Sequence, residues 1–172
     1  MPGDVECRQA TERDLPALAA LRFRWRHGER GEEGMDEAEF AAALAGWGAE
    51  HAASHTPFVA MDGDEAVGTA WLALVERVPS PAQHTRLGGV VQSVYVVPER
   101  RNQGVGEQLM RAVISTARDR SLEWLIVHPS RRAVPFYRRL GFTGTTNMLR
   151  LDLRNLRAAD GPRRKGRMPL GS

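Results

Sequence analysis

The residues whose type and spacing suit chemistry gather around Gly104 and Gly106. They stand in Arg101-Asn102-Gln103-Gly104-Val105-Gly106-Glu107. A β-branched run precedes them: Val90, Val91, Val94, Val96 and Val97, with Tyr95 among them, ended by Pro98. After the glycines, Val105, Leu109, Val113 and Ala117 recur at every fourth position, which predicts a helix with one apolar face. A strand that feeds a glycine turn and then a helix start is a place to hold phosphate. The first amides of a helix have no partner, the helix dipole adds partial positive charge, and glycine lets a ligand come close to the backbone.

Two nucleotide-binding classes fail on particular residues. A phosphate-binding loop of the P-loop kind needs a lysine after its glycines, and the one lysine of the chain is Lys165. A dinucleotide fold needs a third glycine where Leu109 stands and an acidic residue ending the next strand, whereas Glu123 precedes that strand. His51 and His55 are four apart, as metal ligands on a helix are, but no third ligand follows at a useful spacing and the glutamate of a zinc-protease motif is absent. They read as helix-end histidines, and no metal is expected. Cys7, the single cysteine, reads as a small core residue.

The elements that must position the turn follow from periodicity and punctuation. Val5 to Ala10 predicts a first strand. Thr11-Glu12-Arg13-Asp14 has the form of a capping box, and the helix after it carries Leu15, Leu18, Leu21 and Trp25. A polar loop, residues 28–34, leads to a second helix from Asp36 with Phe40, Leu44 and Trp47 on one face, ending near His51 to His55. At this spacing Trp25 and Trp47 read as core. Pro57 to Met61 and Ala66 to Val75 predict a hairpin about Asp62-Gly63-Asp64, with Gly68 as a bulge. Residues 76–89 form a loop. Then come the opening strand and helix, a strand at Trp124 to His128, and a helix that Ser130 can cap, carrying Ala133, Phe136, Tyr137 and Leu140 and stopped by Gly141. Extended structure resumes at Phe142, and Leu149, Leu151 and Leu153 alternate with polar residues as a last strand. The order β-α-α-β-β-β-α-β-α-β implies a mixed sheet with helices on its faces.

The chain has 172 residues and a formal charge of +3. Its basicity lies in residues 154–172, where six arginines and lysines face only Asp160. The remainder is slightly acidic, so charge argues against a nucleic-acid-binding domain. No run of about 18 apolar residues predicts a membrane span, and the N-terminus lacks the apolar core of a signal peptide. A cytoplasmic protein is expected, with one domain over residues 1–153 and a basic, flexible tail over 154–172.

Arg101-Asn102-Gln103-Gly104-Val105-Gly106 resembles the acetyl-coenzyme A motif of the GNAT superfamily of N-acetyltransferases, Arg/Gln-x-x-Gly-x-Gly/Ala. Val94-Tyr95-Val96-Val97-Pro98 resembles that family's pantetheine-binding strand, and Ser130 through Phe142 resembles its second block, which ends in Tyr-x-x-x-Gly-Phe. The resemblance covers nearly all of the chain except the tail. It implies an α/β (α+β) fold with a mixed, mostly antiparallel sheet of six to seven strands flanked by about four helices. It implies acetyl-CoA as co-substrate. Arg101, Asn102, Gln103, Gly104, Val105, Gly106 and Glu107 would hold its pyrophosphate, and the backbone of Val94, Tyr95 and Val96 would pair with pantetheine. Ser130 would touch the cofactor where many members have asparagine. Tyr137 stands where many members have a tyrosine that protonates the departing thiolate, a role that suits a phenol because it is neutral at pH 7.

The resemblance also places the acceptor against the first two helices and the start of the signature strand. The residues there are Arg22, Trp25, Arg26, Glu29, Gln92 and Ser93. Arg22 and Arg26, one helical turn apart, suit an acceptor with a carboxylate or phosphate, or else form a solvated stripe. Members with a general base often carry glutamate where this chain has Val90. Glu29, Glu32, Glu33 and Glu76 are the loop carboxylates left to consider. The implied function is direct acetyl transfer to a primary amine of a small molecule. Acetylation of a peptide or protein amine, or acyl-CoA binding without turnover, are the alternatives, and a homodimer is the family's habit.

Overall fold

The computed structural model describes residues 5–144. A five-stranded sheet runs through them in chain order. Strands β1 (Glu6–Gln9), β2 (His55–Asp62), β3 (Glu65–Glu76) and β4 (Leu87–Val96) pair antiparallel, and β5 (Leu125–Val127) joins β4 in parallel. Helix α1 (Leu15–Phe23), a wide π-helical turn (Arg24–Glu29) and α2 (Glu37–Glu50) connect β1 to β2, and α3 (Val105–Asp119) connects β4 to β5. The mixed, mostly antiparallel sheet is the expected one, with five strands among the described residues where six or seven were expected. The strand expected at residues 149–153 and the tail from 154 lie outside the described residues.

The chain divides into two compact units, Met1–Val134 and Pro135–Ser172. In the first, Phe58, Val59 and Ala60 are consecutive and all fully buried, so both faces of β2 are covered. On α1, Leu15 and Leu18 pack with Val59 and Trp71. On α3, the predicted stripe of Val105, Leu109, Val113 and Ala117 is buried throughout, with Met110 beside it. The helix starts are set locally. Asp36 accepts from the Glu39 amide at 2.9 Å while Glu39 accepts from the Asp36 amide at 3.2 Å. The Asp14 carboxylate accepts from the Thr11 amide and hydroxyl and from both ends of the Arg8 guanidinium, which ties β1 to the start of α1. No helix among the described residues is long and apolar enough to cross a membrane.

Two irregularities shape the sheet. In the β2–β3 hairpin Ala60 faces Gly68 while Met61 faces Ala66, so the extra residue is Val67. Gly68 is needed beside it for closeness, since a Cβ there would meet Tyr95 O at 3.2 Å and Ala60 Cβ at 3.3 Å. The larger irregularity is in β4. Thr69 faces Tyr95 and Trp71 faces Gln92, so Ser93 and Val94 together oppose Ala70. Ser93 takes a left-handed backbone there, φ 54°. The parallel pairing with β5 covers only Gly89, Val90 and Val91. The bulge and the loss of the neighbouring strand therefore coincide.

In the second unit, α4 (Val134–Arg139), whose first residue closes the first unit, carries the buried Tyr137. Phe136 and Phe142 meet the Tyr137 ring edge-on, with centroids at 4.9 and 5.6 Å. Gly141 ends the helix with φ 95°, and the amides of Leu140 and Phe142 both donate to the Tyr137 carbonyl at 3.1 Å.

One narrow point in β4 is Gly89, which pairs with Leu74 on one side and Leu125 on the other. A Cβ there would lie 2.7 to 2.8 Å from Leu122, Leu125 and the buried Leu72 at once. Gly89→Ala is expected to lower stability by about 1–3 kcal/mol through overpacking. Urea unfolding checks this; an unchanged midpoint would show that the three leucines give way freely.

Candidate functional site

The candidate site grows out of the end of β4. Beyond Val91 no described strand pairs with the β5-facing edge of β4, although the strand continues to Val96. A strand edge in this condition presents backbone groups that an extended ligand can pair with, as an added strand would. Val94, Tyr95 and Val96, expected to face pantetheine, are the residues on that open stretch.

The turn that follows is built for anions. After a short 3-10 turn at Pro98–Arg100, Asn102 and Gly104 both take left-handed backbone, with φ 60° and 82°. Gln103 fastens the turn by donating to the Glu99 carbonyl at 2.9 Å. The first helical bond of α3 runs from the Gln108 amide to Gly104 O at 3.0 Å. The amides of Val105, Gly106 and Glu107 come before it and have no helical partner. The Glu107 carboxylate pairs with Arg111 one turn along, so this residue offers the site its backbone amide. An added Cβ at Gly104 would meet nothing within 4 Å, which leaves the approach to the turn open.

Arg101, at the first position of the motif, is committed elsewhere. Its Nε donates to the Val96 carbonyl at 2.9 Å and its Nη2 pairs with Glu29 at 2.9 Å. Glu29 also accepts from the Tyr95 hydroxyl at 2.5 Å, and the indole of Trp25 stacks on the Tyr95 ring with centroids 5.5 Å apart. Arg24, on the same π-helical turn, pairs with Glu99 at 2.5 Å. The turn after α1 is thus tied to the end of β4, to the 3-10 turn and to the first residue of the motif. Partial burial pushes the Glu29 carboxyl up, but the Tyr95 hydroxyl and Arg101 outweigh it and hold the carboxyl below its usual range. Burial, then Glu29, pushes the Tyr95 phenol up to about 12.

The acceptor residues expected from sequence fall into two groups. Trp25 and Glu29 belong to the Tyr95 cluster. Arg22 and Arg26 line a cavity of about 400 Å³ between α1, the π-helical turn, the loop to α2 and α2 itself. Arg22 donates to the Ser93 hydroxyl at 2.6 Å, which connects the cavity to the β4 bulge. Gln92 is exposed at the bulge. Trp47, read from sequence as core, is 37% exposed and forms part of the cavity wall, and Trp25 is only partly buried. Each tryptophan packs against an aromatic ring of the sheet, Trp25 on Tyr95 and Trp47 on Trp71, and part of its surface stays open.

Other residues are placed plainly. Val90 pairs with Ala73 and Ile126, so no carboxylate occupies that point. Of the loop carboxylates, Glu32 pairs with Arg26, Glu33 lines the cavity, and Glu76 is exposed at the end of β3. His51 ends α2 and His55 begins β2, and both rings pack on Trp47. Burial, then Glu6, pushes the Cys7 thiol up to about 11, so it stays protonated at neutral pH and is no nucleophile. Ser130 precedes the 3-10 turn Arg131–Ala133 and makes no side-chain bond to it. The Arg24–Glu99 tie and the cavity residues Met35 and Phe40 went unread in the sequence; Phe40 and Trp47 on one face of α2 were the one available signal.

Comparison with known proteins bears on the family and the fold. A family profile described as the acetyltransferase (GNAT) family matches residues 15–142. A glucosamine 6-phosphate N-acetyltransferase of Trypanosoma brucei brucei is 31% identical over 87 residues, which is 51% of this chain and 57% of that protein. The aligned part thus spans little more than half the length of this curated relative. The crystal structure of a Trypanosoma brucei acetyltransferase superposes with a TM-score of 0.68 at 25% identity, over 87% of this chain and 100% of the other. A predicted acetyltransferase of Clostridium acetobutylicum, crystallised with acetyl-CoA, shares the fold with a TM-score of 0.71 at 21% identity, over 88% and 97%.

The Tyr95–Glu29 bond has a direct optical test, because the chain has only two tyrosines. In a Tyr137→Phe background, Tyr95 is expected to give no phenolate absorbance up to about pH 11 while the protein stays folded. Adding Glu29→Gln removes the charge that opposes ionisation, so the absorbance should appear at lower pH. Identical titrations with and without Glu29 would break the link.

Proposed function

Since the chain belongs to the GNAT acetyltransferase family, we propose that it moves the acetyl group of acetyl-CoA to a primary amine of a small molecule, by direct attack within a ternary complex. The observation that carries this reading is the continuity of a strand edge that no described strand pairs, Gln92 to Val96, with a left-handed glycine turn and the free first amides of α3. The curated relative, named for acetylating glucosamine 6-phosphate, supports a small amine as acceptor.

Each group has a task. The backbone of Val94, Tyr95 and Val96 pairs with pantetheine. The amides of Gln103 to Glu107 take the pyrophosphate, with Asn102 beside them, Arg101 holding the turn's shape and Ser130 lending a further contact. The amine nitrogen bonds to the thioester carbonyl carbon, the carbon–sulfur bond breaks, and the sulfur keeps its electron pair. Tyr137 gives that sulfur its proton and regains one from solvent, while the amine sheds its own to water. Burial pushes the Tyr137 phenol up, so it holds its proton across the neutral and mildly alkaline range. Glu29 is excluded as general base, because a carboxylate held below its usual range by an arginine and a hydroxyl is a poor proton acceptor. The rate is therefore expected to rise with pH as the bound amine loses its proton.

Release of free CoA thiol, measured across a panel of small amines and peptides, tests the activity and separates the small-molecule reading from the peptide one. Gly104→Glu is expected to abolish acetyl-CoA binding by calorimetry, since it places a carboxylate against the pyrophosphate. Gly104→Asn, uncharged and tolerant of left-handed backbone, should keep most of it. Unchanged affinity in the glutamate variant would overturn the site. Tyr137→Phe should lower kcat by about 10²-fold with little effect on acetyl-CoA affinity. Equal turnover would remove Tyr137 from the mechanism.

A further inference from the structure

The cavity beside the bulge has a composition that selects. Its walls are apolar and partly open: Phe23, Phe40, Leu44 and the exposed Met35 and Trp47 line it. Two guanidiniums stand in the same lining, and they are unequally occupied. Arg26 pairs with Glu32 through Nη2, and its Nε is buried with no partner among the described residues. Arg22 is partly buried, forms no ion pair among the described residues, and makes one polar contact, the bond to the Ser93 hydroxyl at 2.6 Å. None of its other donors is buried without a partner, so they keep contact with water and are open to an anion that enters the cavity. Its planar fork matches a carboxylate or phosphate in two-point geometry. The Arg22–Ser93 bond fixes where that anion would lie relative to the chemistry, since Ser93 is the bulge residue next to Val94, where the proposed pantetheine pairing begins.

We infer that the acceptor is an amine carrying an apolar, ring-sized body and an anionic oxyacid group, with Arg22 reading the anion and the Phe23–Phe40–Trp47 walls reading the body. This rests on the transfer reaction proposed above and makes Arg22 a specificity-determining residue. It departs from a polar sugar phosphate in the body, since the walls offer stacking and dispersion and few polar partners. Glu32 blocks part of Arg26, which leaves Arg22 as the main anion contact. Glu33, the remaining carboxylate of the lining, is exposed and repels an anion placed beside it, so the anion belongs at the Arg22 end of the cavity.

The test uses matched probes with the full chain. Thiol release is measured with phenethylamine, 4-(2-aminoethyl)benzoate, tyramine phosphate and glucosamine 6-phosphate. The first three share a body and an amine and differ in having no anion, a carboxylate or a phosphate. At least one charged aromatic probe is expected to exceed both phenethylamine and glucosamine 6-phosphate by about tenfold or more in kcat/KM. Which of the two wins tells carboxylate from phosphate. Arg22→Met should erase most of that advantage, chiefly through KM, and Arg22→Lys should restore part of it. Binding of the same probes to protein saturated with CoA is followed by tryptophan fluorescence, which Trp47 reports whether or not turnover occurs. Phenethylamine or glucosamine 6-phosphate matching the charged aromatics, an advantage that survives Arg22→Met, or no binding of any charged probe would overturn the inference. Acetyl-CoA affinity measured on the same samples keeps the two claims apart, because its loss would count against the transfer reaction and not against the cavity.

Discussion

Backbone groups must find partners, and at Val91 the chain reaches a point where one row of them loses its own. β5 is only three residues long and leaves β4 after Val91, while β4 runs on to Val96 with β3 as its single neighbour. An amide or carbonyl left without a bond in a dry place is costly, so an edge of this kind either faces water or faces something that bonds to it. The bulge at Ser93 and Val94 falls at the point of departure, and it re-aims the strand there. The candidate chemistry lies downstream of this loss of pairing. The open edge continues into the glycine turn, and the turn into the free amides of α3.

An open edge would wander without support, and the support is visible in three cross-ties. Tyr95 is buried under the Trp25 indole with its hydroxyl on Glu29, Arg101 closes on Glu29 and on the Val96 carbonyl, and Arg24 holds Glu99. These ion pairs are partly exposed, and individually such pairs contribute little stability. Their value is geometric, because they share residues and converge on one short turn. They set the end of β4 at a fixed distance from the segment after α1. Arg22 adds a fourth tie at the bulge. One of the four loop carboxylates considered as a base, Glu29, is thereby tied into the structure.

Much of this was legible in the chain, for reasons that differ by element. The stripe of α3 and the capping residue Asp36 are local signals, and local signals survive folding. Gly104 and Gly141 both adopt left-handed backbone where the sequence placed a turn and a helix stop. The division of β4 into paired and unpaired halves was not legible, because nothing in Val90 to Val96 states the length of a strand thirty residues later. The bulge at Ser93 was hidden for the same reason, since it depends on cross-strand register. Trp25 and Trp47 misled because helical spacing shows which residues share a face and not how much of each ring a neighbour covers; each meets a sheet aromatic and stays partly open. Arg22 and Arg26 were read as neighbours from their spacing, but their unequal occupancy depends on Glu32 and Ser93, which reach them from a loop and a strand.

The wide turn from Arg24 to Glu29 makes the arrangement depend on length as well as on composition. A π-helical turn holds one more residue than the α-helical turn that would otherwise stand there. Each residue of an α-helix advances the chain by about 100°. Deleting one residue between Phe23 and Glu29 would therefore swing everything beyond the deletion by roughly a quarter turn. Arg22 would keep its hold on Ser93, while Glu29 would leave both Tyr95 and Arg101. Length in this segment is thus a heritable variable separable from composition, by which related chains could gain or lose the tie to the glycine turn while keeping every residue that makes it.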